Sequence, residues 1–134
     1  YQYSIWKKVL NVNLDSAFLL TKTLLPLLNH SKLSSVVFTS SGVGRKGRAY
    51  WGGYAISKYA TEGMMEVFAD ELENSSKISV NCINPGAVRT KMREEAYPAE
   101  DPETNPLPEE IMNLYVYLMC DESKDINGQS INAQ

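Results

Sequence analysis

Ser35-Val36-Val37-Phe38-Thr39 and Lys77-Ile78-Ser79-Val80-Asn81-Cys82-Ile83 are the two stretches on which the fold turns. The first is a short, β-branched apolar run, the pattern of a strand covered on both faces. The second carries apolar side chains at 78, 80, 82 and 83 and is stopped by Pro85-Gly86. Between them Tyr59, Ala60, Met64, Phe68 and Leu72 recur at helical spacing and predict a helix over about 53–73. Strand, long helix and strand make a βαβ unit, which calls for a parallel sheet with a right-handed crossover. The expected class is therefore α/β, with a partial doubly wound parallel sheet.

Upstream, Ile5, Leu10, Leu14, Phe18, Leu19 and Leu25 predict an amphipathic helix from Ser4 to about Asn29. Pro26 removes a backbone donor near its end, so the last turn should kink or stop early. The glycines at 42, 44, 47, 52 and 53 make 40–53 a loop. Downstream, 91–110 holds Pro98, Pro102, Pro106 and Pro108 among many acidic residues and reads as a mobile loop or lid. Helical spacing returns over 109–119, Asn127-Gly128 signals a turn, and 129–132 can form one last strand. With only about three strands encoded, apolar surface should stay exposed where further strands would pair.

Composition excludes several function classes. The 134 residues carry a net charge of −3, which speaks against a sequence-independent grip on nucleic-acid phosphates. The longest apolar stretch, Leu14 to Leu28, is broken by Asp15, Lys22 and Pro26 and is too short to span a bilayer. No signal peptide is visible. Cys82 and Cys120 lack metal-site spacing and are expected to be reduced, buried residues of a cytoplasmic protein. His30, the one histidine, is expected at a solvated helix end, so a His-based metal site or a Ser-His-Asp triad is excluded. The chain opens Tyr1-Gln2-Tyr3 without an initiator Met, which favours a piece of a longer protein.

In open parallel sheets, ligands bind outside the carboxyl ends of the strands. Two such ends are visible, Ser40-Ser41 and Pro85-Gly86. The helix that starts near Gly53 begins beside the first, and Tyr54 and Lys58, four apart, share one of its faces. A hydroxyl, a phenol and an ammonium thus converge, a set suited to carbonyl reduction or alcohol oxidation. A free phenol has a pKa near ~10. An ammonium roughly 4 Å away, at an effective dielectric of about 20, contributes ~4 kcal/mol, enough to bring it toward neutrality. There a general acid–base works best. Ser41 would hydrogen-bond the substrate oxygen where charge develops, and hydride transfer requires a cofactor. The pair alone is weak evidence, since Tyr3 and Lys7 repeat its spacing.

Context makes it specific. Tyr54-Ala55-Ile56-Ser57-Lys58 resembles the YxxSK signature of the short-chain dehydrogenase/reductase family. Ser41 precedes Tyr54 by thirteen residues, the family's usual spacing, inside Thr39-Ser40-Ser41-Gly42-Val43-Gly44. Asn13, in Asn11-Val12-Asn13-Leu14, lies twenty-eight before Ser41, where related reductases carry a fourth catalytic residue. Asn84-Pro85-Gly86-Ala87-Val88-Arg89-Thr90 is similar to the family's NPGxxxT, and Gly128-Gln129 to the GQ before its final strand. The segments 48–54 and 97–102, Met64-Met65 and the closing Asn132-Ala133-Gln134 further resemble the YciK-type bacterial oxidoreductases.

The resemblance covers essentially the whole chain and implies the C-terminal half of a single Rossmann-type domain spanning 1–134, with the dinucleotide-binding half absent. It implies Tyr54 as the acid–base and Lys58 as the residue that lowers its pKa and binds the nicotinamide ribose. Ser41 would hold the substrate oxygen, and Asn13 a water of the proton relay, from a distorted point in the first helix. Pro85, Gly86, Val88 and Thr90, with Tyr54 and Lys58, would approach the cofactor. That cofactor would be NADP or NAD, with NADP mildly preferred, and the substrate a small carbonyl or alcohol. No metal, nucleic acid or membrane partner is implied. A homodimer or homotetramer through helices 4–29 and 53–73 is.

Some choices stay open. Ser40 competes with Ser41 and Asn11 with Asn13, with spacing favouring Ser41 and a surface position disfavouring Asn11. Thr90 equally suits the N-cap of a short helix, and Tyr50 and Trp51 suit either a substrate entrance or aromatic packing. Gly42-Val43-Gly44-Arg45-Lys46-Gly47 has GxGxxG spacing, but it lies in the loop between strand and active-site helix, the wrong context for a dinucleotide fingerprint. The family's TGxxxGxG loop and NNAG segment are absent. The alternative is therefore an inactive, truncated member that serves as a dimerisation or regulatory module. A cofactor-sensing protein on the same fold is weaker, because such proteins commonly lose the Tyr-Lys pair.

Overall fold

The computed structural model describes residues 2–134. Its first helix is one rod in three parts: α1 (Tyr3–Leu10), a π-helical segment (Asn11–Asp15) and α2 (Ser16–Leu28). The wider π turn is the distortion expected around Asn13. Pro26 sits in the last turn of α2, which stops at Leu28, two residues later. Then follow β1 (Ser34–Thr39), a 3₁₀ turn (Gly42–Gly44), α3 (Gly52–Glu73) and β2 (Ile78–Asn84). The chain finishes through α4 (Lys91–Ala96), α5 (Met112–Leu118) and β3 (Ser130–Asn132).

The strands form a three-stranded sheet in the order β1-β2-β3, and both pairings are parallel. The register sets Phe38 opposite Cys82 and Ile83 opposite Ile131. Alternation along the strands sorts the faces. Val36, Phe38, Ile78, Val80 and Cys82 pack under α2 and α3 with Met65, Phe68, Ala69 and Leu25. Phe68 stacks between Phe18 and Phe38 at 6.1 and 6.5 Å. On the other face Ser35 donates to the carbonyl of Leu118 in α5 (2.6 Å), and the hydroxyls of Thr39 and Tyr115 lie 3.2 Å apart. Helices on both faces of a parallel sheet are the doubly wound arrangement, here in part.

In the central strand, Asn81 is fully buried yet satisfied by the segment leading to β3: its amide donates to Ile126 O and its oxygen accepts from Gln129 N–H. Gly128 makes the predicted turn at φ +67° and returns the chain to β2 through its N–H on Val80 O. At the outer edge β1 pairs on one side only among the described residues, with Val36 and Val37 half-buried. Larger exposed apolar residues lie on the helices, among them Leu20, Leu27, Ile56 and Val67.

Two expectations need correction. Cys120 is exposed rather than buried, because α5 ends at Leu118 and the chain turns outward there; Ser123 is the residue that tucks in. The segment 91–110 is also less loop-like than its prolines suggest. Thr90 and Asp101 cap helical turns by accepting from Arg93 N–H and Glu103 N–H. Pro102 and Pro108 stand at first-turn positions, where a missing N–H costs nothing. Arg93 grips Glu100 through two hydrogen bonds of 2.7 and 2.6 Å, and Asn105, which also donates to Glu100, is buried.

Candidate active site

The site is built at the carboxyl ends of β1 and β2. Thr39 ends β1, and Lys58 reaches it from the second turn of α3, donating to the Thr39 carbonyl at 2.8 Å. Its Nζ lies 5.6 Å from the centroid of the Tyr54 ring, one turn earlier on the same face. Burial holds the Lys58 ammonium below its ordinary pKa, and a charge on Cys82 would oppose that shift. Burial, with Glu62 adding, pushes the Cys82 thiol up to about 12, so near neutral pH Cys82 is uncharged and burial alone acts on Lys58.

Ser41 follows in extended backbone at φ −162°, so its side chain and that of Ser40 take opposite sides. Ser40 is the buried one, at 1% exposure, and its hydroxyl has no partner among the described residues. Ser41 is half-buried, and no protein group engages its hydroxyl among the described residues. Gly44 closes the loop onto α3. A Cβ there would stand 2.9 Å from Ser40 Oγ and 3.0 Å from the Lys58 backbone carbon. The glycine of this turn is therefore a packing requirement.

Asn13 is brought in by the π segment. Its amide donates to Ser57 Oγ (2.9 Å), which in turn donates to Tyr54 O (2.7 Å). Asn13 is thereby joined to the helical turn that carries Tyr54, while Asn11 is exposed. Trp51 lies against Tyr54 with centroids 5.6 Å apart and also against Tyr97 at 6.3 Å. Arg93, held by Glu100, stacks on Tyr97 at 3.8 Å. Aromatic packing is what Trp51 does, and it links Tyr97 of the 91–110 segment to the Tyr54 ring. Tyr50, by contrast, is fully exposed at φ +71°.

After β2, Gly86 turns the chain at φ +74°. Its N–H donates to Asn84 Oδ1 (3.2 Å), and the carbonyls of Pro85 and Ala87 accept from Gln134 Nε2. The N–H groups of Ala87 and Val88 have no protein acceptor among the described residues. Thr90 caps α4, as the N-cap reading expects. A cavity of about 470 Å³ lies beside Arg89, Thr90, Lys91, Arg93, Tyr97 and Asn105. A larger one, about 560 Å³, lies at the opposite ends of the strands beside Ser34, Ile78 and Asn127 and contains none of the expected site residues.

Sequence reasoning passed over Thr39 as the seat of Lys58, and also Arg45, Asn132 and Gln134. Arg45 lies in a basic loop stretch, and its hydrogen-bond partners Ser130 and Asn132 are 85 and 87 residues away, a pairing without a local signal.

A parallel sheet flanked by helices, with a Tyr-Lys pair at its carboxyl edge, belongs to a definite class of protein. Residues 1–101 match the short chain dehydrogenase family, and the chain belongs to it. It is 53% identical over 130 residues to the uncharacterized oxidoreductase YciK of Escherichia coli K12, covering 97% of this chain and 51% of that protein. It is 36% identical to the 3-oxoacyl-[acyl-carrier-protein] reductase FabG of Thermotoga maritima, covering 94% and 54%. A short chain dehydrogenase of E. coli CFT073, solved in complex with NADPH, superimposes with a TM-score of 0.95 at 52% identity, covering 99% of this chain and 55% of that one. One from Shigella flexneri 2a, solved with NADP, does so at 51% identity with the same TM-score and coverage. The chain thus spans about half the length of the relatives it matches. No described helix is long and apolar enough to cross a membrane.

Proposed function

We propose that the intact protein is an NADP(H)-dependent oxidoreductase that interconverts a small carbonyl compound and its alcohol. In this reading the chain is the C-terminal half of one Rossmann-type domain, with 91–110 as its substrate loop. The observation that carries it is the pairing of Tyr54 with Lys58 beside the carboxyl end of β1, the lysine anchored on Thr39. That two similar short chain dehydrogenases were solved with NADP and NADPH supports the choice of cofactor.

The residues present fit a nicotinamide dinucleotide. A tight turn at Gly86 and N–H groups at Ala87 and Val88, without acceptors among the described residues, offer donors to its amide and phosphate oxygens. Pro85, Gly86, Val88 and Thr90 would hold it, with Lys58 on the ribose. When bound, it supplies or accepts the hydride. Tyr54 gives its phenol proton to the carbonyl oxygen in reduction and takes the alcohol's proton in the reverse direction. Ser41, whose hydroxyl no described residue engages, holds that oxygen. Lys58 keeps positive charge beside the phenol, and Asn13 holds a water through which the proton is replaced. Only one of the three ammonium donors of Lys58 is on Thr39, so two remain for the ribose.

The same reading has two copies associate through α1–α2 and α3, where Leu20, Leu27, Ile56 and Val67 are exposed, in the cytoplasm, in keeping with two free cysteines. Incubating the intact protein with NADPH and a panel of small aldehydes and ketones tests the reaction. Oxidation of NADPH that depends on the carbonyl is expected, and none with any member would contradict it. The intact mass of the gene product tests the domain reading. A value near ~27 kDa, typical of one whole dinucleotide-binding domain, supports it, and 15.0 kDa would oppose it.

A further inference from the structure

The carboxamide oxygen of Asn132, at the end of β3, accepts from two elements at once. Arg45, in the loop after β1, donates to it at 2.7 Å, and Asn84, at the end of β2, donates to it at 3.1 Å. The connection continues on both sides. Asn84 Oδ1 accepts the Gly86 N–H, so the turn after β2 hangs from the side chain that Asn132 holds. Arg45 also donates to Ser130 Oγ, at 3.1 and 2.5 Å, and pairs with the largely buried Glu62 of α3 at 3.4 Å. Main-chain hydrogen bonds fix the strands relative to one another but leave the loops beyond them free. Here side chains extend the register past the strand ends, tying the Ser41–Arg45 loop to the Pro85–Val88 loop.

We infer that Asn132 is a positioning residue for the cofactor loop: through Asn84 it fixes the Gly86 turn, and through Arg45 it keeps that turn in register with the Ser41 loop. The inference rests on the proposed function. Only the oxygen of Asn132 is used, and its amide nitrogen donates to no protein group among the described residues. An acceptor is therefore all the position requires. Asn132→Asp keeps an oxygen for both donors, its charge offset by Arg45. Asn132→Leu keeps the bulk and removes both hydrogen bonds.

The test compares these variants in the intact protein, by NADPH titration, by steady-state kinetics at saturating NADPH, and by hydrogen exchange of the Gly86 amide without ligand. Asn132→Leu is expected to bind NADPH about tenfold more weakly, the loss of one or two partly exposed hydrogen bonds to a charged group and an amide. Its kcat should stay within about twofold of wild type, because no reacting atom is touched. Gly86 should exchange faster in Asn132→Leu and at the wild-type rate in Asn132→Asp. Should Asn132→Leu not fold, Asn132→Ala carries the same expectation. Unchanged NADPH affinity in the apolar variant, equal weakening in Asn132→Asp, or unchanged Gly86 exchange would each overturn the inference. Wild-type protein that binds no NADPH would instead sink the proposed function, and the Gly86 exchange would still decide whether Asn132 holds the turn.

Discussion

Lys58 donates to the carbonyl of Thr39 at 2.8 Å while its ammonium stands 5.6 Å from the ring centroid of Tyr54. A backbone oxygen at a strand end thus fixes the charge beside the phenol, and burial lowers the pKa of the group that carries it. Lys58→Met in the intact protein should reduce kcat/KM by at least about 100-fold, the low end of an acid–base contribution. Steady-state kinetics with NADPH and a reducible carbonyl measure it. A loss under about threefold would mean the lysine does not serve Tyr54.

Gly44 is the point at which the serine loop and α3 touch. Gly44→Ala sets a methyl 2.9 Å from Ser40 Oγ and 3.0 Å from Lys58 backbone. Backbone cannot swing aside as a flexible side chain can, so the loop must lift. Urea unfolding should show a loss of about 1–3 kcal/mol, typical of overpacking. Unchanged stability would mean that the contact relaxes freely.

Much of this architecture is legible in residue order. The β-branched run at 35–39, the helical spacing of 59–72 and the stop at Pro85-Gly86 fix a βαβ unit, because backbone period and side-chain burial are local properties. The Tyr54-Lys58 pair is legible for the same reason, four residues being one helical turn. The π segment at Asn13 has no compositional signature and follows only from the family resemblance. Arg45, Asn132 and Gln134 act through partners far along the chain, which no window displays. The prolines of 91–110 mislead: Pro102 and Pro108 open helical turns rather than break them.

Cys82 gives the fold a dependence on alkaline pH. Its thiol is held up to about 12 in the fold against an ordinary 9.0. A raised pKa means the folded state keeps a proton that the unfolded chain releases. The contribution is therefore intact below about pH 9 and is lost progressively as pH rises toward about 12. Urea midpoints followed over that range should fall more steeply in wild type than in Cys82→Ala. Parallel slopes would contradict the assignment.

Segment 91–110 is clamped by Arg93 on Glu100, with Tyr97 stacked between Arg93 and Trp51. Arg93→Ala should speed hydrogen exchange across 91–105 and raise KM for the carbonyl substrate, about twofold to tenfold for a partly exposed bidentate pair. The hydrogen bond from Arg93 holds Glu100 below the usual carboxylate pKa of 4.5. The clamp is thus complete at neutral pH and is released only as pH falls through that lowered value. Exchange unaffected by the substitution would mean other contacts hold the segment.

The central claim is that Tyr54 moves the proton. Tyr54→Phe in the intact protein removes one oxygen and leaves the ring against Trp51 and Lys58. The decisive measurement is NADPH-dependent carbonyl turnover in this variant, read beside NADPH binding in the same preparation. The account predicts turnover reduced by about 100-fold or more with binding within about threefold of wild type. Retained turnover would contradict it.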